Sequence, residues 1–111
     1  MSWDILFIKN SRGDEIVKDQ IRALQKSTIA KIVHHIDLLK EQGPILPMPY
    51  SKKIIDNIYE LRIRGNQEIR IFYTFNKKQI YFLHLFQKKS QKTPPKELKI
   101  AIDRFNVLTT I

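Results

Sequence analysis

The sequence predicts an α+β domain, in which helices pack against a mainly antiparallel sheet. Three consecutive stretches in the second half are rich in aromatic and β-branched residues, and the loops between them are short enough for hairpins. Two stretches before them and one after them repeat apolar residues at spacings near 3.6. The predicted order is therefore β-α-α-β-β-β-α, with two N-terminal helices packed on the sheet and a helix at the C-terminus. A chain of 111 residues suits a single domain, which we expect to span residues 1–111.

The first half is predicted to hold one strand and two helices. Residues 3–8, WDILFI, are aromatic and β-branched, which favours a strand. Asp14 stands where the N-cap of the first helix is expected. The second helix is predicted over residues 28–42, ending at Gly43 before Pro44. One stripe of this helix is apolar and should face the core: Ile29, Ile32, Val33, Ile36 and Leu39.

The second half is predicted to hold most of the sheet. Three prolines within residues 43–53 exclude a helix or a central strand, so this stretch is expected to be a connector. Strands are predicted over residues 58–64, 68–75 and 79–87, which should form an antiparallel meander. A final helix is predicted over residues 94–109, with Thr93 as its N-cap and prolines in its first turn.

The charge of the chain is strongly uneven along its length. Residues 1–49 contain seven Lys and Arg against six Asp and Glu, whereas residues 50–111 contain thirteen against five. Such an asymmetry, within a net charge of +9, predicts that one face of the molecule meets a polyanion. Nucleic acid is the first candidate for that polyanion, and an acidic protein is the second.

Alternation along the strands predicts where these cations lie. Residues 58–64 should turn their apolar side chains to the core, which leaves Glu60, Arg62 and Arg64 on an open face. The same rule adds Arg70 from the next strand, and His84 from the third strand if the register holds. Three lysines that follow the last strand should extend the cluster at its rim: Lys88, Lys89 and Lys92.

From the residues alone, two interpretations of this face stay open. Aromatic rings among fixed cations suit single-stranded RNA, because bases stack on the rings and phosphates pair with guanidinium groups. An ordinary solvent-facing sheet surface, with a salt bridge from Glu60 and a lysine-rich turn, accounts for the same pattern.

Other classes of function are disfavoured by what the sequence lacks. It has no cysteine, which excludes a disulfide framework, thiol chemistry and a cysteine-based zinc site. No apolar run approaches the roughly 18 residues of a membrane span, and the N-terminal residues do not have the pattern of a signal peptide. The sequence shows no carboxylate cluster suited to Mg²⁺. We therefore expect a cytoplasmic protein without a cofactor.

Three motifs in the second half carry a family resemblance. The first is ELR over residues 60–62, and the second is RIFY over residues 70–73. The third is LHLFQKKSQKTP over residues 83–94. Together with the predicted element order, these motifs resemble the RelE/HigB superfamily of toxins from bacterial type II toxin–antitoxin pairs. Within that superfamily they are most similar to the phage-derived host-inhibition branch, which is HigB-like.

The resemblance implies a function, a mechanism and partners. Proteins of this superfamily are small endoribonucleases that cleave messenger RNA, typically on the ribosome, and they need no metal. A cognate antitoxin, commonly of the helix-turn-helix type, silences the toxin. The alternative function is a non-catalytic basic module that binds RNA or an acidic protein.

Matching positions imply roles for individual residues. Arg62 and Arg70 would form a clamp on the scissile phosphate. Some relatives use a C-terminal tyrosine or histidine, or a carboxylate, for proton transfer, but this chain has no tyrosine after Tyr81. The remaining catalytic candidates are His84 and Glu60, and a lysine is a third option for the base. RNA binding is expected from four further cations: Arg64, Lys88, Lys89 and Lys92.

Overall fold

A five-stranded sheet with helices on both faces organises the protein in a computed structural model that describes residues 2–110. The strands are β1 (Asp4–Phe7), β2 (Ser51–Ile55), β3 (Ile58–Ile63), β4 (Ile69–Asn76) and β5 (Gln79–Gln87). The helices are α1 (Ile16–Arg22), α2 (Lys26–Gln42) and α3 (Pro95–Leu108), with a short 3₁₀ turn over Gly43–Ile45. The predicted α+β class is confirmed.

The strands lie in the order β1-β5-β4-β3-β2. Strands β2 to β5 form an antiparallel meander, whereas β1 runs parallel to β5, with Asp4 opposite Gln79. Strand β2 is an addition to the predicted order, because its first residues were assigned to the proline-rich connector. The prolines all precede Ser51, and β2 lies at the edge of the sheet, so no proline interrupts the ladder of hydrogen bonds.

Two predicted helix caps are wrong, and both residues have other hydrogen-bond partners. Asp14 accepts a hydrogen bond from Asn10 Nδ2 at 3.3 Å, and α1 begins without a side-chain cap. Thr93 lies one residue before the N-cap of α3, and its hydroxyl donates to Glu60 Oε2 at 3.4 Å. Hydrogen bonds to neighbouring side chains thus replace the capping bonds that the sequence pattern suggested.

The apolar stripe of α2 is narrower than predicted. Ile32 and Leu39 are fully buried against the sheet, but Val33 is 50% exposed. Each helical residue is turned by about 100° from its neighbour, so a helix seated on Ile32 turns the side chain of Val33 toward solvent.

The sheet has a hydrophobic core on each face. The core under α1 and α2 includes Val17, Ile32 and Leu61, and the core under α3 includes Phe72 and Ala101. The face that was predicted to be open is therefore covered by α3 over part of its area. No helix within residues 2–110 is long and apolar enough to cross a membrane.

A bulge in β5 changes the predicted alternation of side chains. Phe72 pairs with His84, but the next residue, Tyr73, pairs with Phe82, so Leu83 is the extra residue. As a result, Phe82 belongs to the core under α1 and α2, and Leu83 belongs to the core under α3. His84 keeps its predicted place on the face that carries the arginines, because the bulge lies before it.

Candidate active site

Two arginines lie directly opposite each other on neighbouring strands. Arg62 in β3 and Arg70 in β4 are cross-strand partners, an arrangement that like charges would normally disfavour. Glu60 offsets this repulsion, because its Oε1 lies 3.7 Å from Arg62 Nε and 3.8 Å from Arg70 Nε. The carboxylate of Glu60 is thus the shared counter-ion of the arginine pair.

Arg70 and Glu60 are buried, which corrects the expectation that they lie on an open face. Arg70 is 2% exposed and Glu60 is 3% exposed. Arg70 Nη1 donates to the carbonyl of Ile69 at 3.1 Å and lies 3.3 Å from Glu68 Oε2. Burial lowers the pKa of the Arg70 guanidinium from its ordinary value, and the carboxylates of Glu60 and Glu68 act against this shift. An arginine remains a cation under these conditions.

The arginine pair retains unused hydrogen-bond donors. Within residues 2–110, neither Arg62 Nε nor Arg70 Nε has a hydrogen-bond partner, although both are shielded from solvent. Arg62 is partly exposed, and its Nη1 lies 3.5 Å from Met48 Sδ, a weak acceptor. The pair therefore presents two cationic side chains whose positions are set by the protein.

A groove opens beside this pair, with a volume of about 510 Å³. It lies between the adjoining ends of β3 and β4 and the loop that follows β5. Five cations and one carboxylate line it, so its potential favours a phosphate backbone. The lining side chains are Arg62, Arg64, Glu68, Arg70, Lys88, Lys89, Ser90 and Gln91. Five of the predicted site residues are thus brought together: Arg62, Arg64, Arg70, Lys88 and Lys89.

The other three predicted site residues do not line the groove. Glu60 lies behind the arginine pair, and Lys92 is an exposed residue of the loop after β5. His84 lies deeper on β5, where its ring stacks on Phe86 with 6.0 Å between the ring centroids.

His84 links β5 to α3. Its Nε2 donates to Glu97 Oε1 at 3.0 Å, whereas its Nδ1 has no partner within residues 2–110. Burial lowers the pKa of His84 from its usual 6.5, and the carboxylate of Glu97 acts against this shift. The arrangement is that of a packed, hydrogen-bonded ring.

Sequence reasoning missed Glu68 as a residue of the site. Glu68 shares the strand parity of Arg70, so alternation alone was sufficient to place it on the same side of the sheet. Its side chain is 37% exposed, and its backbone carbonyl accepts a hydrogen bond from Lys88 N at 2.7 Å. Glu68 is thus the one carboxylate among the described residues that line the groove.

The basic loop over residues 88–93 is fixed at both ends. The bond between Lys88 N and the carbonyl of Glu68 holds its beginning, and the bond between Thr93 and Glu60 holds its end. Ser90 closes the turn between them by donating to the carbonyl of Lys92 at 2.9 Å. The loop is therefore held at both ends by the same two residues, Glu68 and Glu60, whose carboxylates contact Arg70.

Metal-ligating side chains are not clustered in the described part of the chain. No group of three or more His, Asp or Glu residues between positions 2 and 110 has the arrangement of a metal site.

The sequence profile of a protein family described as "Phage derived protein Gp49-like (DUF891)" matches residues 19–106. The chain belongs to this family. A solved structure of a mutant of the E. coli toxin RelE in the free state is similar to the Gp49-like chain, with a TM-score of 0.67 and 13% sequence identity. The similarity covers 94% of this chain and 98% of that chain, so the fold is RelE-like. A comparison with curated protein sequences found no match.

The family and the fold confirm the predicted place of this Gp49-like protein in the RelE-like toxin superfamily. The toxin-type function and the antitoxin partner stay predictions. The HigB-like branch stays a prediction, as do the roles of the individual site residues.

Proposed function

We propose that this Gp49-like protein is the toxin of a toxin–antitoxin pair and cleaves messenger RNA on the ribosome as a metal-independent endoribonuclease. The observation that carries the proposal is the pair of the buried Arg70 and the partly exposed Arg62, which lie opposite each other and line a groove with three further cations. A surface that only attracts RNA does not require a guanidinium that is 2% exposed and contacts two carboxylates. Such fixed donors are the kind that stabilise charge in a transition state.

The chemistry needs no group from outside the RNA and the protein. The 2′-hydroxyl next to the scissile phosphate loses its proton to a base and attacks phosphorus, and the bond to the 5′-oxygen then breaks. The products are a 2′,3′-cyclic phosphate and a 5′-hydroxyl, which receives a proton from an acid. Negative charge grows on the non-bridging phosphoryl oxygens, where Arg62 and Arg70 donate hydrogen bonds.

Glu68 is the group best placed to act as the base. It lines the groove, and its carboxylate lies 3.3 Å from Arg70, which binds the same phosphate in our proposal. Lys88 also lines the groove and serves as the acid that protonates the leaving 5′-oxygen. Glu60 and His84 stay predictions as proton-transfer groups, but Glu60 is held by two arginines and His84 by Glu97.

The remaining cations hold the RNA on either side of the scissile phosphate. Arg64 and Lys89 line the groove and contact neighbouring phosphates. Lys92 is exposed at the far end of the basic loop and extends this track by a further phosphate. The partners in this proposal are messenger RNA, the ribosome and a cognate helix-turn-helix antitoxin.

The decisive experiment is the Arg70→Lys substitution. Lysine keeps the positive charge beside Glu60 and Glu68, whereas alanine would leave the buried Glu60 carboxylate short of a partner and weaken the fold. Because the planar fork of donors is lost, we expect cleavage of messenger RNA to fall about 100-fold or more. Growth arrest on induced expression should disappear with it, while the melting temperature stays close to that of the wild type.

Two outcomes would contradict the proposal. A wild-type protein that binds RNA without cleaving it would favour the alternative of a binding module. Cleavage that stops in EDTA and returns with Mg²⁺ would contradict metal independence. The control variant is Lys77→Gln in the β4–β5 hairpin, which lies at the opposite end of these strands from the groove.

A further inference from the structure

A second cavity, separate from the groove, lies between the loop after β1 and helix α3. Its volume is about 410 Å³, within the range of ligand sites, and it shares no lining residue with the arginine groove. Its apolar wall is formed by Ile8, Ile16 and Val107. Two cations, Lys9 and Arg104, complete it together with two polar residues of the loop. The cavity therefore combines an apolar surface with positive charge.

Arg104 has no counter-ion within residues 2–110. Its Nη1 donates to the backbone carbonyl of Leu83 at 2.7 Å, and no carboxylate of the described chain lies within ion-pair distance of it. Burial lowers the pKa of its guanidinium from the ordinary value. A half-buried cation of this kind is stabilised when a carboxylate reaches it.

The acidic residues that are close to the cavity in sequence have other partners. Asp103 pairs with Lys99 at 2.9 Å, and Glu15 pairs with Lys18 at 3.7 Å. Asp14 accepts a hydrogen bond from Asn10. The negative charge that would complement Arg104 is therefore not supplied by these residues.

The apolar wall is also incompletely covered. Val107 on α3 is 69% exposed, although it lies beside the partly buried Ile8 and Ile16. Val33 on α2 is also largely exposed, 50%, but it lines neither this cavity nor the arginine groove. An aliphatic group that entered beside Val107 would remove apolar surface of both molecules from water.

We propose that this cavity docks a segment of a partner protein on which an aliphatic side chain and a carboxylate lie close together, as on one face of an acidic amphipathic helix. The aliphatic side chain packs on Ile8, Ile16 and Val107, and the carboxylate pairs with Arg104 and Lys9. Charge complementarity is the reason for an acidic partner, and the apolar wall is the reason for a protein in place of RNA. Because the cavity is separate from the arginine groove, the proposal stands whether or not the groove cleaves RNA.

A selection from a random peptide library displayed on phage tests the proposal without assuming a partner. The bait is the 111-residue chain with Arg70→Lys, which is expected to be tolerated by the host. We expect the enriched peptides to carry an aliphatic residue with Asp or Glu three or four positions away, which is one face of a helix. Amide resonances of the loop after β1 and of the last turns of α3 should shift when a synthetic peptide is added.

Matched variants separate the cavity from general attraction between opposite charges. Arg104→Gln should weaken peptide binding about tenfold or more. Arg12→Gln makes the same change of charge on the loop after β1, which borders the cavity, but Arg12 does not line the cavity, so its effect should stay below about twofold. A second pair, Val107→Asp and Val33→Asp, compares two exposed valines and should weaken binding only at position 107.

Each other outcome overturns the proposal. Enriched peptides without a carboxylate, or none enriched, would refute the chemistry assigned to the cavity. Equal losses in Arg104→Gln and Arg12→Gln, or resonance shifts confined to the arginine groove, would show that net charge alone attracts the peptides. Shifts of the cavity resonances with single-stranded RNA, or with octanoate but with no peptide, would assign it to another ligand. If Arg104→Gln unfolds because its bond to Leu83 is lost, the valine pair decides.

Discussion

Arg70 shows how a residue can be buried and still be available to an anion. The protein covers most of its guanidinium from bulk water, holds it between Glu60 and Glu68, and places it in the wall of the cationic groove. A solvent-exposed arginine has to exchange bound water for phosphate and to fix its own side chain. In Arg70 the fold has already removed the water and fixed the side chain, so neither cost arises when the phosphate binds. This makes the site preorganised.

A residue-level prediction separates Glu68, Glu60 and His84 as candidates for the base. Glu68→Gln removes the carboxylate that lines the groove, so we expect the single-turnover cleavage rate to fall by about 10²–10⁴-fold. RNA binding should be unchanged or tighter, because a negative charge is lost from a cationic groove. The measurement is single-turnover cleavage of a labelled RNA, together with its affinity when the attacking 2′-hydroxyl is replaced by hydrogen.

The controls for this prediction are Glu60→Gln and His84→Gln. Both change residues that hold other groups in position, so each is expected to lower the melting temperature more than Glu68→Gln does. If Glu68→Gln cleaves as fast as the wild type while Glu60→Gln is inactive and folded, the role of base passes to Glu60.

For the site residues, the sequence alone predicted which cations share a face of the sheet, but it did not predict how far each is buried. Alternation on β3 and β4 put Arg62 and Arg70 together, because the period of a strand does not depend on what covers it. How deeply these residues are buried depends on where α3 packs. The apolar stripe of α3 shows that it packs on the sheet, but it does not show on which face. For the same reason Thr93 was taken for a cap, although its hydroxyl turns inward to Glu60.

The β4–β5 hairpin is the clearest case of local strain among the elements. Lys77 and Lys78 have φ values of 51° and 65°, in the left-handed region that asparagine and glycine occupy more readily. An L residue in that region is destabilised by roughly 1–2 kcal/mol. Glycine would remove this strain, but its greater backbone entropy in the unfolded chain would offset part of the gain.

We therefore expect Lys78→Gly to raise the free energy of unfolding by about 0.5–1 kcal/mol. Urea denaturation is the measurement, with Lys78→Ala as the matched variant that removes the same side chain without freeing φ. A gain of equal size in the alanine variant would mean that relief of charge repulsion between the lysines, and not backbone strain, is responsible.

The contact between β5 and α3 predicts a dependence of stability on pH. Burial lowers the pKa of His84 below its usual 6.5, against the opposing effect of Glu97, whereas the unfolded chain retains the usual value. The unfolded state therefore binds the proton more readily, and the free energy of unfolding falls as the pH drops through 6.5 toward the folded-state pKa. Above that window both states are neutral at this residue, and the full stability is present.

Denaturation curves at a series of pH values test this. We expect the loss of stability on acidification to be smaller in His84→Gln than in the wild type. The same substitution at the exposed His34 is the comparison variant. Identical pH profiles for wild type and His84→Gln would show that the acid sensitivity arises from other groups.

Element boundaries could be predicted where a hydrophobic period was long and uninterrupted, as in α2, β5 and α3. Strand β2 was not predicted, because an edge strand is recognised by its partner more than by its own composition, and three prolines stand before it. The bulge at Leu83 was not predicted either. In a strand that is apolar on both faces, the sequence does not show where the alternation of side chains is interrupted.

For the whole molecule, the uneven charge predicts that the salt dependence of RNA binding arises from the cations at one end of the sheet. Each lysine that neutralises a phosphate of single-stranded RNA contributes about 0.7 to the slope of log affinity against log salt. Lys89→Gln should therefore reduce the magnitude of that slope by about 0.7. Lys77→Gln, at the far end of β4 and β5, should leave it unchanged.

Fluorescence anisotropy with a non-cleavable RNA over a range of salt concentrations gives both slopes. Equal reductions in the two variants would mean that RNA is attracted by the net charge of +9 and not by a defined track. The uneven charge was visible in the sequence. Its location at one end of the sheet was not, because only the structure shows that the groove and the β4–β5 hairpin lie at opposite ends of the same strands.

The parallel pairing of β1 with β5 has a consequence for how the chain is made. Asp4 is opposite Gln79, so the first strand to leave the ribosome has to wait for the last strand before it can form its hydrogen bonds. Closing so long a loop is slow compared with pairing the consecutive strands β2 to β5. During synthesis the segment DILF therefore stays unpaired and open to other contacts until β5 has been made.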